Sequence, residues 1–193
     1  MHRRILLAVG LAALAGCTQT PGTPPEAGIP LSTLAPFSVP IGSDPVLTSV
    51  QVSAYYLADP PHRLADRPAL AAQTLAQFEY AAVALQGPRF VGLNPLTQIQ
   101  MANGRSALRR TIGIRDDAPP GLVIQALTEA AAALDRGDTA AAEAALARLP
   151  LAASPAETLS VLRRLPYVRE ANWASAFALH ELNRPRDRFV RSL

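Results

Sequence analysis

The sequence predicts an all-α protein: a compact bundle of about six or seven short helices after a proline-rich tether. Three observations predict it. Apolar residues recur at helical spacing through most of the chain. Prolines directly follow good N-cap residues at Asp44-Pro45, Asn94-Pro95 and Ser154-Pro155, and the first helical position tolerates proline because an N–H there would lack a partner anyway. Prolines also crowd residues 18–43, as Pro21, Pro24, Pro25, Pro30, Pro36 and Pro40, which rules out a regular helix in that stretch.

The elements follow in order. Residues 17–43 read as a linker, and proline-rich chain at about 3.1 Å per residue would reach roughly 80 Å. Its second half carries Ile29, Leu31, Leu34, Phe37, Val39 and Ile41, so that half is expected to lie against the body. Asp44-Pro45 opens the first element. Val46, Val50, Ala54 and Leu57 suit a helix, whereas Val50, Val52, Ala54 and Tyr56 alternate like a strand. The cap favours helix, and Asp59-Pro60-Pro61 ends it. A second helix starts at Asp66-Arg67-Pro68, with Asp66 as its N-cap, and stops at Gly87-Pro88. Leu70, Leu75, Phe78, Ala82 and Leu85 form its apolar face.

Asn94-Pro95 opens a third helix, running to about Ile112, with Leu96, Ile99 and Leu108 expected inward. Gly104 inside it is unfavourable for a helix. Pro119-Pro120 opens a fourth, ending at Arg136-Gly137, and Asp138 caps an alanine-dense fifth that stops before Pro150. Ser154-Pro155-Ala156-Glu157 is a capping-box pattern for the sixth, which ends at Leu165-Pro166. A last helix from about Tyr167 to Asn183 should bring Trp173, Phe177 and Leu182 to one side. The body is thus placed at residues 44–183, with an arginine-rich tail over 184–193. The hairpin at 121–148 resembles a tetratricopeptide repeat through Ala133-Leu134-Asp135-Arg136-Gly137-Asp138 with Ala142, Ala145 and Leu146. No second copy occurs at that period, and arrays need about three.

The first residues address the chain. Arg3 and Arg4 precede an apolar run from Ile5 to Ala15. That run falls short of the ~20 residues of a bilayer span and has the length of a signal-peptide core. Leu14-Ala15-Gly16-Cys17 closes it, and Cys17 is the only cysteine. This run resembles the lipobox of bacterial lipoproteins. The resemblance implies a signal peptide over 1–16, cleavage between Gly16 and Cys17, and acyl chains, palmitate among them, on Cys17. At about 0.8 kcal/mol per buried methylene, two or three chains hold a protein on a membrane. Thr18 rather than aspartate follows Cys17, which implies the periplasmic face of the outer membrane.

Composition removes several chemistries. All 18 Lys+Arg residues are arginine, so a Schiff-base lysine, a Ser–Lys pair and a P-loop lysine are excluded. A lipidated Cys17 leaves no thiol for catalysis, disulfides or metal. Without Arg3 and Arg4 the formal charge of +3 falls to about +1, and the body is slightly acidic, so no nucleic-acid partner is expected. Arg184, Arg186, Arg188 and Arg191 cluster in the tail with Phe189. They are the candidate contacts to an anionic lipid or an acidic envelope protein.

Few residues invite a catalytic reading. His62 lies between Asp59 and Asp66, but zinc sites pair their His or Cys ligands, so no metal and no cofactor are expected. His180-Glu181 lacks the second histidine of H-E-x-x-H. Asp116-Asp117 sits where negative charge favours the start of a helix. Arg109-Arg110 and Arg163-Arg164 read as solvated doublets. The sequence therefore favours a non-enzymatic interaction or envelope-organising module on a lipid anchor. The alternatives are a small-ligand-binding helical domain, or an enzyme using carboxylates with His62.

Overall fold

The computed structural model describes residues 42–184. Cys17, Gly16, the tether as far as Ile41, and Arg186, Arg188 and Arg191 lie outside the described residues. Within them the fold is all-α. Eight α-helices follow one another among the described residues: α1 Pro45–Leu57, α2 Pro60–Arg63, α3 Pro68–Ala84, α4 Pro95–Thr111, α5 Pro120–Asp135, α6 Thr139–Leu146, α7 Pro155–Arg163 and α8 Arg169–Leu182. A 3₁₀ turn at Pro88–Phe90 joins α3 to α4.

Proline punctuation sets most of these starts. Pro45, Pro68, Pro95, Pro120 and Pro155 each occupy the first turn of their helix. The helix-or-strand question at α1 resolves as helix. The Asp44 carboxylate accepts from the Val46 amide at 2.9 Å, and the buried set is Val46, Ser49, Val50, Ser53 and Leu57. Two small hydroxyl residues complete a stripe that apolar counting alone left ambiguous. Asn94 and Asp138 cap α4 and α6 through Leu96 and Ala141. Ser154 and Glu157 form the reciprocal capping box of α7.

Two boundaries differ from expectation. Asp59-Pro60-Pro61 does not simply end α1; it leads into the single turn of α2, because two prolines fit an N-terminal turn as well as they break an interior one. Asp66 is not the cap of α3. It adopts a left-handed backbone, φ 55°, with its amide on the Arg163 carbonyl at 2.9 Å, and Arg67 holds the cap position.

α3 is the central helix, packed by α1, α4, α5 and α7. Nearly every residue from Ala71 to Ala82 is buried. α8 packs against α1 and α4, and α6 joins α5 to α7. The turns after α4 and α6 are tied together by Arg115 N to Pro150 O at 3.0 Å and Ala152 N to Gly113 O at 2.8 Å. Beneath them the Thr158 hydroxyl donates to the Ile112 carbonyl at 2.9 Å. The core is rich in alanine, so helix axes approach closely.

Gly104 marks a close approach of α4 to α3 and α8. A Cβ there would lie 2.9 Å from Phe78 Cζ and 3.1 Å from both Ala171 Cα and Ala174 Cβ. The inner face of α4 is accordingly Thr97, Met101, Gly104, Ala107, Leu108 and Arg109. Leu108 points inward as expected, but Leu96 and Ile99 are exposed. The small residues take the contact side, and the large ones are left outside.

Candidate functional site

The residues that suggested chemistry stand apart. His62 is exposed on α2, with Nδ1 2.8 and 2.9 Å from the two Asp59 oxygens. That hydrogen bond, with His62 charge behind it, holds Asp59 below the usual carboxylate range. His180 is exposed on α8. Asp116 and Asp117 are exposed and pair separately, with Arg110 at 3.5 Å and Arg115 at 2.7 Å. Arg184 is exposed and reaches Glu181 at 3.1 Å. Among the described residues no His, Asp and Glu side chains gather in a group that could hold a metal ion. Such exposed pairs contribute little to stability.

The strongest electrostatic feature is buried and was not expected. Arg109, read as part of a solvated doublet, is 2% exposed, and Glu79 on α3 is 4% exposed. Arg109 Nη2 meets Glu79 Oε1 at 2.5 Å and its Nε meets Oε2 at 3.2 Å. Its Nη1 donates to the carbonyls of Asp116 and Ala118 at 2.8 and 2.9 Å. Burial pushes the Glu79 carboxyl up, while the hydrogen bond and charge of Arg109 pull against it. This cluster fastens the α4–α5 turn to α3. Doublet spacing could not reveal it, because the partner lies on another helix and the shared carbonyls lie in a loop.

The surface feature with binding chemistry is the seam between α4 and α8. Ala171, Ala174, Ser175 and Ala178 are the buried stripe of α8, and Gly104 is their counterpart on α4. Because this contact uses small residues, the large side chains of α8 flank it. Trp173 was expected on one side of the helix with Phe177 and Leu182. It is instead 66% exposed, while Phe177 and Leu182 are half-buried. Arg169, Glu170 and Trp173 share a flank at helical spacing.

Two hollows adjoin along this seam. One, of about 280 Å³, is lined by Gln100, Asn103, Arg169, Glu170 and Trp173. The next, of about 510 Å³, is lined by Ala107, Arg110 and Thr111 on one side and residues 166–170 on the other. Arg169 and Glu170 line both, so the hollows adjoin in one open cleft region; Tyr167 lines the larger and Trp173 the smaller. Tyr167 is 48% exposed, and its hydroxyl accepts from Asn172 Nδ2 at 2.8 Å, which restrains the ring. Arg169 lies 3.6 Å from Glu170. Gln100 Oε1 is buried and has no hydrogen-bond partner among the described residues. An orphaned acceptor of this kind costs about 1–3 kcal/mol. Two aromatic rings, two amides, two guanidiniums and a carboxylate line these hollows, a mixture suited to an amphiphilic ligand. The alanine stripe at 171, 174 and 178 was the available signal, since it marks the inward face and turns residue 173 outward.

No protein-family model, no curated protein and no solved structure matches this chain.

Proposed function

We propose that this chain is a bacterial lipoprotein anchored by acyl chains on Cys17 at the periplasmic face of the outer membrane. Its helical body is a non-enzymatic binding module that uses the α4–α8 cleft. The observation that carries the binding role is the position of Trp173. It is the only tryptophan, and it stands outside the core beside a cleft of mixed polarity. Burying a tryptophan removes 150–250 Å² of surface from water, so leaving this one exposed reserves that gain for a partner. Arg3, Arg4 and the run to Cys17 support the anchor. The exposed His62–Asp59 pair removes the support that the enzyme alternative drew from His62.

Two measurements test the two halves. Cys17→Ala should lose acyl labelling and leave the membrane fraction; continued fractionation with membranes would overturn the anchor. Oxidative footprinting compares Trp173 in intact envelopes with Trp173 in purified protein. Protection in the envelope is expected, and equal reactivity would overturn the cleft as a binding face.

A further inference from the structure

We infer that the apolar half of the tether, residues 29–41, docks on the apolar surface formed by the α3–α4 connection and the outer flank of α4. The docking does not depend on the α4–α8 cleft. Its consequence for the leash rests on the reading of Cys17 as the anchor.

Three of the six exposed large apolar side chains among the described residues, Val91, Leu96 and Ile99, fall within nine residues of chain, and Val91 is 82% exposed. Leu96 and Ile99 stand about one turn apart on α4 and are neighbours on its surface. Beside Ile99 opens a hollow of about 300 Å³ between α3 and α4, with Ala82, Pro95 and Ala102 in its walls. The α8 side of α4 is different, for there Gln100 and Asn103 line the cleft. Apolar surface left open in this way marks a contact face.

The tether joins the body beside this face. Arg89 Nη1 donates to Asp44 Oδ1 at 3.2 Å, and its Nη2 donates to Asp44 Oδ2. Arg89 belongs to the 3₁₀ turn, two residues before Val91, so residue 41 stands three residues from a side chain held at the α3–α4 connection. Gly42 takes φ 91°, with open space where a Cβ would stand. That left-handed backbone breaks the line of α1 where the tether begins. Residues 29–41, at about 3.1 Å each, reach roughly 40 Å. Pro95 to Ala102 covers roughly 10 Å of helix, so the length is ample.

The composition matches as well. Alternate residues of an extended chain share a side, which puts Phe37, Val39 and Ile41 on one edge and Ser38 and Pro40 on the other. Pro30, Pro36 and Pro40 restrict the chain beforehand, so docking loses less entropy. A second copy or a partner must be drawn from solution, whereas an attached segment meets the face at an effective concentration on the order of millimolar. Docking leaves residues 18–28 as the leash. Its reach falls from roughly 80 Å to roughly 35 Å, and the α3–α4 end of the bundle is held toward the bilayer.

The test uses the full-length lipidated protein in nanodiscs of phosphatidylethanolamine and phosphatidylglycerol, with photoreactive benzoylphenylalanine at position 37. Trypsin cuts after Arg89 and Arg105 and releases the whole face as peptide 90–105. Irradiation should join position 37 to that peptide within one chain. Crosslinks mainly to lipid, to a second chain or to another helix, or no crosslink, would overturn the docking. Chymotryptic cleavage after Phe37 in the unlabelled protein gives a second reading. It should be roughly fivefold to tenfold faster in Leu96→Ser and Ile99→Ser, the scale of one half-exposed aliphatic side chain. It should be unchanged in Tyr55→Ser, an exposed residue near the far end of α1. Unaltered helical circular dichroism verifies that these surface variants fold, and equal cleavage in wild type and Ile99→Ser would also overturn the docking. Acyl labelling reports the anchor separately: an unacylated protein that still crosslinks would reject the shortened leash while leaving the docking standing.

Discussion

Replacing Arg109 with methionine removes one charge from a pair that water scarcely reaches. Methionine keeps much of the stem volume, so the loss is mainly electrostatic. Breaking a buried ion pair from one side costs about 3–5 kcal/mol, because the remaining charge stays desolvated; Arg105, whose Nη1 lies 3.9 Å from Glu79 Oε1, offsets part of that cost. The carbonyls of Asp116 and Ala118 lose their donor too, but they lie beside the exposed turn at Asp117, where water can replace part of it. A net loss of about 4 kcal/mol follows, against a total stability of about 5–15 kcal/mol for a domain. The loss depends on pH. Burial already raises the Glu79 carboxyl, and Arg109 opposes that rise. Without Arg109 the folded pKa climbs further. A raised folded pKa gives stability that is fully present below the unfolded value and is lost as pH increases through the folded value. The variant's deficit should therefore be smallest near the ordinary glutamate value of 4.5 and grow toward about pH 8. Urea unfolding followed by helical circular dichroism across that range measures it. Adding Glu79→Leu should recover most of the loss, since an apolar pair in place of an ion pair is often neutral. A deficit below about 1 kcal/mol at pH 8, or one independent of pH, would refute the buried-pair argument.

Two further outcomes test the packing. Gly104→Ala gains about 1 kcal/mol of helix propensity, but its methyl meets Phe78 Cζ at 2.9 Å and the Ala171 backbone at 3.1 Å. Overpacking of about 1–3 kcal/mol should win, lowering the melting temperature by a few degrees, with partial recovery on adding Ala174→Gly; a melting temperature above wild type would count against the tight seam. Thr158→Val keeps the side-chain shape but leaves the buried Ile112 carbonyl without its donor. A loss of about 1–3 kcal/mol is expected in the same unfolding assay, and an unchanged midpoint would deny that bond its role.

Helix starts were legible because they depend on neighbours in sequence. Asp44-Pro45, Asn94-Pro95, Asp138 and Ser154-Pro155-Ala156-Glu157 act through hydrogen bonds spanning two or three residues. Which face of a helix turned inward was less legible. In α4 the large apolar Leu96 and Ile99 drew attention, yet Thr97, Met101, Gly104 and Leu108 carry the contact, because the neighbouring backbone comes too close for larger groups. The same reason put Trp173 on the surface. Arg109 was misread for a different cause: its burial depends on Glu79, thirty residues earlier and on another helix. The cleft combines both difficulties. Its aromatics sit where alanines pushed them, and its amides come from a helix far away in the chain.

The helix that closes the bundle is the last of the described helices in chain order. α8 covers α1 and α4, so both keep an open flank until residues 169–182 have been made. Closing such a long loop adds little thermodynamic cost, because each doubling of length adds only about 0.6 kcal/mol, but it fixes the order of events. The earliest described helix must wait for the last described one before its contact is made. A product cut short before residue 169 would leave α1 and α4 without the helix that covers them. Such a surface is prone to aggregation and proteolysis, so completeness of translation becomes a condition for persistence.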